Sequence, residues 1–95
     1  MKQKNSGSEI AKMLGISQAR GMEAVIKAQL ISAVLQAAKK EELTHADIAK
    51  KSKLPRSAVT GILSGSLQKV TIDRVLKLVE AVGLLAEIRI RKIAA

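Results

Sequence analysis

The sequence predicts an all-α domain: a bundle of about five helices with a short β-strand near its C-terminal end. Three features carry that prediction. Apolar residues recur at i, i+3 and i+4 through most of the chain, the period of helices that pack by one face. Aromatic residues are absent, so the core must come from Leu, Ile, Val, Ala and Met, which suits a small helix bundle. Only from Ala86 to Lys92 does the period fall to two, as in a half-buried strand. A chain of 95 residues is the size of one domain with a small core and modest stability.

Residues 1–21 form an N-terminal segment expected to be flexible over its polar start, MKQKNSGS, and residues 22–95 form the folded domain. Within the segment, Ser8 is placed to cap a short helix, Glu9 to Leu14, which Gly15 ends. From Met22 to about Lys40 a long helix shares Ile26, Leu30, Ala33, Val34 and Ala37 on one face, with Ile31, Leu35 and Ala38 beside it. Lys39 and Lys40 suit the negative end of its dipole. Thr44 and Asp47 make a capping-box-like start to the next helix, which runs through Ala46, Ile48 and Ala49 to Lys51. Ser52-Lys53-Leu54 forms a turn. Pro55 fits the first position of the following helix, where its missing N–H costs nothing. Val59, Ile62 and Leu63 are that helix's buried side, and Ser64-Gly65-Ser66 ends it. Thr71 caps the next helix, with Asp73 in its first turn, and Ile72, Val75, Leu76, Val79 and Val82 form its core stripe. Gly83 is a left-handed stop.

The alternating residues that follow set a strand at about 86–93. A lone strand leaves its backbone groups unsatisfied. The simplest remedy is antiparallel pairing with the same strand of a second chain across a twofold axis, which makes Ile88, Arg89, Ile90 and Arg91 dimerisation residues. The alternative is that 87–92 merely prolongs the last helix.

Seventeen Lys and Arg against eight Asp and Glu leave a net charge of +9 and a pI near 10.3. Such a balance implies an anionic partner, unless it serves solubility alone. Nucleic acid leads. A membrane surface comes second, because amphipathic anchors rely on Trp or Phe and the chain has neither. The absence of cysteine removes disulfides, thiol chemistry and zinc-finger sites together. There is one histidine, the adjacent Glu41 and Glu42 point apart on a helix, and no Gly-rich phosphate loop follows a strand. No enzyme, metal or cofactor is therefore expected. No apolar run reaches the ~18 residues of a membrane span. The polar start lacks a signal-peptide core, so the expected location is the cytoplasm, beside the DNA of a cell without a nucleus.

The stretch from Leu43 to Gly65, LTHADIAKKSKLPRSAVTGILSG, is two short helices across a tight turn. No carboxylate occurs between Asp47 and Asp73, while Lys50, Lys51, Lys53, Arg56 and Lys69 do. Such a helix-turn-helix unit is shaped to enter a DNA groove. Leu43-Thr44-x-Ala46-x-Ile48-Ala49, then Val59, Ile62 and the closing Gly65, resembles the Cro/repressor (XRE-type, lambda-repressor-like) family. The wider pattern runs from Lys27-Ala28-Gln29-Leu30 through Thr71-Ile72-Asp73-x-x-Leu76 to Glu87-Ile88-Arg89-Ile90. It is similar to a subgroup that includes HigA-like antitoxins, and covers about three quarters of the chain.

The resemblance implies a lambda-repressor-like bundle and a sequence-specific transcriptional repressor. For the subgroup it implies the antitoxin of a type II toxin–antitoxin operon, whose N-terminal segment or an exposed helix face grips a RelE-like toxin. A stand-alone regulator and a non-specific coater of the nucleoid are the alternatives. Two positions depart from the family pattern. Ser52 and Lys53 stand where an apolar residue and Gly are usual, so either Lys53 adopts the left-handed conformation at a cost of about 1 kcal/mol relative to Gly or the turn is reshaped. Gly61 stands where a contacting side chain often projects.

A helix in the major groove offers its leading residues to base edges. Arg56 is the candidate reader: its planar fork matches the O6 and N7 acceptors of guanine, with a phosphate contact as the alternative. Ser57 and Thr60 share its side and can bond a base or a phosphate, or, for Thr60, its own helix backbone. Ala58 is placed for a thymine methyl or for packing. His45 stands where the family often carries a phosphate-binding Gln, at a helix N-terminus that favours phosphate; an exposed polar residue is the plain alternative. Lys53 and Lys69 border the helix and are assigned to phosphates, with Ser66 and the loop N–H groups adding to them. A twofold dimer places two such helices ~34 Å apart on double-stranded DNA, so the expected operator is a short inverted repeat.

Overall fold

The computed structural model describes residues 18–67 and 69–92 of the chain. Four helices follow in order: α1 (Gln18–Lys40), α2 (His45–Ser52), α3 (Arg56–Leu63) and α4 (Ile72–Ala81). The described fold is all-α, as expected, but one expected element differs and another falls outside the described residues. The helix expected at Glu9–Leu14 lies outside the described residues. The C-terminal strand does not form: residues 84–92 carry no regular secondary structure. A strand exists only where a second one takes up its N–H and C=O groups, and no described segment of the chain offers an edge. The segment does not prolong α4 either, because Gly83 turns the backbone left-handed at φ 81°.

Helix α1 begins four residues earlier than the periodicity suggests. Its core side is Ile31, Val34 and Ala38, while Ile26, Ala33 and Leu35 are exposed. The helix is apolar on more than one side, so the pattern alone does not select which side faces inward. On the same side Lys27 is only 6% exposed, and its ammonium lies 3.7 Å from Glu23 one turn earlier. Leaving that ammonium buried without its carboxylate would be costly, since charges are taken out of water only when paired.

Helix ends follow from local chemistry. The N–H of Leu43 donates to Ala38 O at 2.8 Å and that of Glu42 to Lys39 O at 3.3 Å, with Glu42 at φ 55°. The same pair of bonds closes α3 through Gly65 and α4 through Gly83. Helix α4 packs along α1 and on α2, and α3 packs on α2 and more lightly on α1. Val34, Ile48, Val59, Ile62, Val75 and Leu78 meet at the centre and are essentially inaccessible to solvent. Each such side chain contributes roughly 1.5–3 kcal/mol by leaving water. In α4 the core stripe is Val75, Leu78, Val79 and Val82; Leu78 replaces the expected Leu76, which is 41% exposed.

Candidate nucleic-acid interface

Helix α2 is started by a complete capping box. Thr44 Oγ1 accepts from the Asp47 N–H at 3.0 Å, and Asp47 Oδ2 accepts from the Thr44 N–H at 2.8 Å. The shorter Asp therefore does the work of the usual Glu. The bond from the Thr44 backbone, then that from its side chain, holds the Asp47 carboxyl below its ordinary value, helped by the charges of Lys51 and Lys50. His45 follows as the first residue of α2, which sets its ring beside α3.

The turn is not reshaped. Lys53 takes the left-handed conformation itself, at φ 61° and ψ 24°. Ser52 is buried, and its Oγ donates to Ala49 O at 3.4 Å and accepts from the Leu54 N–H at 3.3 Å. A polar residue thus replaces the family's apolar one because its hydroxyl is satisfied within the turn. Pro55 precedes the helix as its cap, with φ −58° and ψ 143°, rather than serving as its first residue. Its carbonyl accepts from the N–H groups of Ala58 and Val59 at 3.0 and 3.1 Å.

Helix α3 buries Val59, Ile62 and Leu63 and turns Arg56, Ser57, Thr60 and Ser64 to solvent. Ala58 is half-buried between the two sides. Lys53, Lys69 and Ser66 are exposed at the two ends of the helix. Among the described residues none of Lys53, Arg56 and Lys69 is in an ion pair, so their charges face outward unneutralised. A side chain at Gly61 would meet no heavy atom within 4 Å, so the helix is open there.

Two site residues are brought together in a way the sequence does not announce. His45 Nδ1 lies 2.9 Å from Thr60 Oγ1. Thr60 does not bond back to its own helix; Ser64 does, its Oγ donating to Gly61 O at 3.0 Å. The loop N–H groups are not available to phosphates. Those of Ser64, Gly65 and Ser66 donate to Thr60 O, Ile62 O and Gly61 O at 3.0, 3.1 and 3.0 Å, closing the helix. Among the described residues of that loop, the Ser66 side chain remains as a donor. The signal was readable: Gly65 past a helix end implies that the loop caps it.

A capped helix, a tight turn and an outward, acid-free second helix with unpaired cations define a helix-turn-helix DNA-binding domain. A family model described as a helix-turn-helix domain matches residues 15–91, and the chain belongs to that family. No curated protein and no solved structure matches it. Among the described residues, no helix is long and apolar enough to cross a membrane, and no group of His, Asp and Glu is placed to hold a metal ion.

Proposed function

We propose that the chain is an XRE-type transcriptional repressor that binds an inverted-repeat operator as a twofold dimer and acts by binding rather than catalysis. The observation that carries this reading is the exposed side of α3, where Arg56, Ser57 and Thr60 stand with no carboxylate near them in sequence. Arg56 reads a base, and Lys53 and Lys69 hold phosphates on either side of it. A dimer is supported by residues 84–92, where Leu85, Ile88 and Ile90 are 85%, 79% and 92% exposed. Large apolar side chains in such a row mark an interaction surface. Beside them Ile26, Leu30, Ile72 and Leu76 line a groove between α1 and α4. The resemblance to HigA-like antitoxins adds a protein partner, a RelE-like toxin.

Paired substitutions test the readout. Arg56→Ala should weaken binding to the selected site more than to random duplex, with a loss of specificity of ~1–3 kcal/mol. Lys69→Ala should weaken both alike and lower the salt slope by about one. An unchanged ratio of specific to random affinity in Arg56→Ala would remove Arg56 as the reader. A footprint that vanishes under competitor DNA would favour a non-specific coater.

A further inference from the structure

The contact between His45 and Thr60 is the one side-chain hydrogen bond that joins α2 to α3 among the described residues. A hydroxyl carries one proton and two lone pairs, and each imidazole nitrogen either donates or accepts. With the ring neutral and its proton on Nε2, Nδ1 accepts the Thr60 proton. The hydroxyl then meets DNA as an acceptor only, matched to the amino groups of adenine or cytosine. With the ring protonated, Nδ1–H donates to Oγ1, and the Thr60 proton rotates outward. The hydroxyl is then a donor, matched to guanine O6 or N7, thymine O4 or a phosphate oxygen. The ring gains one proton from solvent, and Thr60 keeps its own. The remaining neutral form, with its proton on Nδ1, donates to Oγ1 as the protonated ring does, so the reversal belongs to the ring whose neutral form carries its proton on Nε2.

We propose that His45 is a positioning residue that sets the hydrogen-bond polarity of Thr60 at the DNA surface, and that proton uptake by the ring reverses it. This rests on the DNA-binding reading above. The charged groups on the elements packed here are Asp47, Lys50 and Lys51 on α2, Arg56 on α3, and Asp73, Arg74, Lys77 and Glu80 on α4. None is ion-paired to the imidazole; Asp47 is bonded to the Thr44 N–H, and Asp73 pairs with Lys77 at 3.4 Å.

The test titrates a duplex selected from a random pool, and a random duplex, at about pH 5 and about pH 8, the range over which imidazoles change charge. Salt is held constant. Random binding tracks total charge, so the ratio of the two affinities isolates the base contact. In the wild type that ratio should change on the order of fivefold, the worth of one hydrogen bond. Thr60→Val should abolish the change. His45→Asn, which keeps a partner at the reach of Nδ1 but does not titrate, should flatten the pH profile of the ratio, whatever its absolute affinity. A flat wild-type ratio, or a Thr60→Val profile like the wild type, would overturn the inference alone.

A second arm needs no DNA. His45 is the only histidine, so its ring nitrogens give a single set of resonances. Thr60→Val must move the Nδ1 signal, and an unmoved signal overturns the inference. A protein that selects no duplex, yet whose ring responds to Thr60→Val, overturns the DNA-binding reading and the inference with it.

Discussion

At Lys53 a lysine does what glycine does more cheaply. Its φ of 61° places Cβ against the following carbonyl, at a cost of about 1 kcal/mol. The departure from the family pattern was visible in the sequence, and so was its cost. Which outcome holds, a strained lysine or a different turn, was not visible there. The core of α2 and α3, with Ile48, Val59 and Ile62 locked together, instead imposes the turn and leaves Lys53 to bear the strain. Lys53→Gly should therefore raise stability by about 1 kcal/mol, read as a higher urea midpoint at unchanged slope. A lower midpoint would show that the lysine stem contributes packing that outweighs its strain. The same variant should bind specific and random DNA slightly and equally less well, since it loses one cation that faces the backbone.

Among the elements, the C-terminal segment holds the largest difference between expectation and structure. The period-two pattern of 86–92 was plain in the sequence, but a strand is a property of two segments, and the described chain supplies one. Its charges also specify how two copies would pair. With the twofold axis at Ile88, each Glu87 lies opposite the partner's Arg89, and Ala86 opposite the partner's Ile90. An axis at Arg89 would set two guanidinium groups face to face, which is destabilising. Residues directly opposite have Cβ atoms about 4.5–5.5 Å apart, near enough for a disulfide after small adjustment. The chain has no cysteine of its own. Oxidised Ile88→Cys should thus form a covalent dimer on a denaturing gel, whereas Arg89→Cys should not. Cross-linking at 89 and not at 88 would move the axis, and at neither would remove the ribbon.

For the whole molecule, a charge of +9 belongs to a small chain in which α3 and its flanks, residues 48–72, contain no carboxylate. Net charge drives association with any polyanion and says little about sequence preference. Specificity in the proposal comes from symmetry, because one helix reads few base pairs and two read a defined spacing. Duplexes selected from a random pool should contain an inverted repeat with half-sites ~34 Å apart, one DNA turn. Single, unpaired half-sites would argue for a monomer. If the antitoxin reading holds, the product of the neighbouring gene should co-purify with the full chain, and its failure to do so would leave a stand-alone regulator.

The positions of α2, α3 and α4 to within about a residue, the caps of α2 and α4 and the stops after α3 and α4 were set by the sequence itself. Thr44 with Asp47, Thr71, Gly65 and Gly83 each act within five residues of themselves, so local chemistry is enough to place them. The acid-free composition of α3 is likewise written in the chain. Which side of α1 turns inward, the burial of Lys27 and the exchange of Leu76 for Leu78 came only with packing, because several apolar sides compete and neighbours distant in sequence choose among them. The His45–Thr60 bond belongs to the same class. Each residue alone offers several partners, and only the crossing of α2 over α3 brings their polar atoms to 2.9 Å.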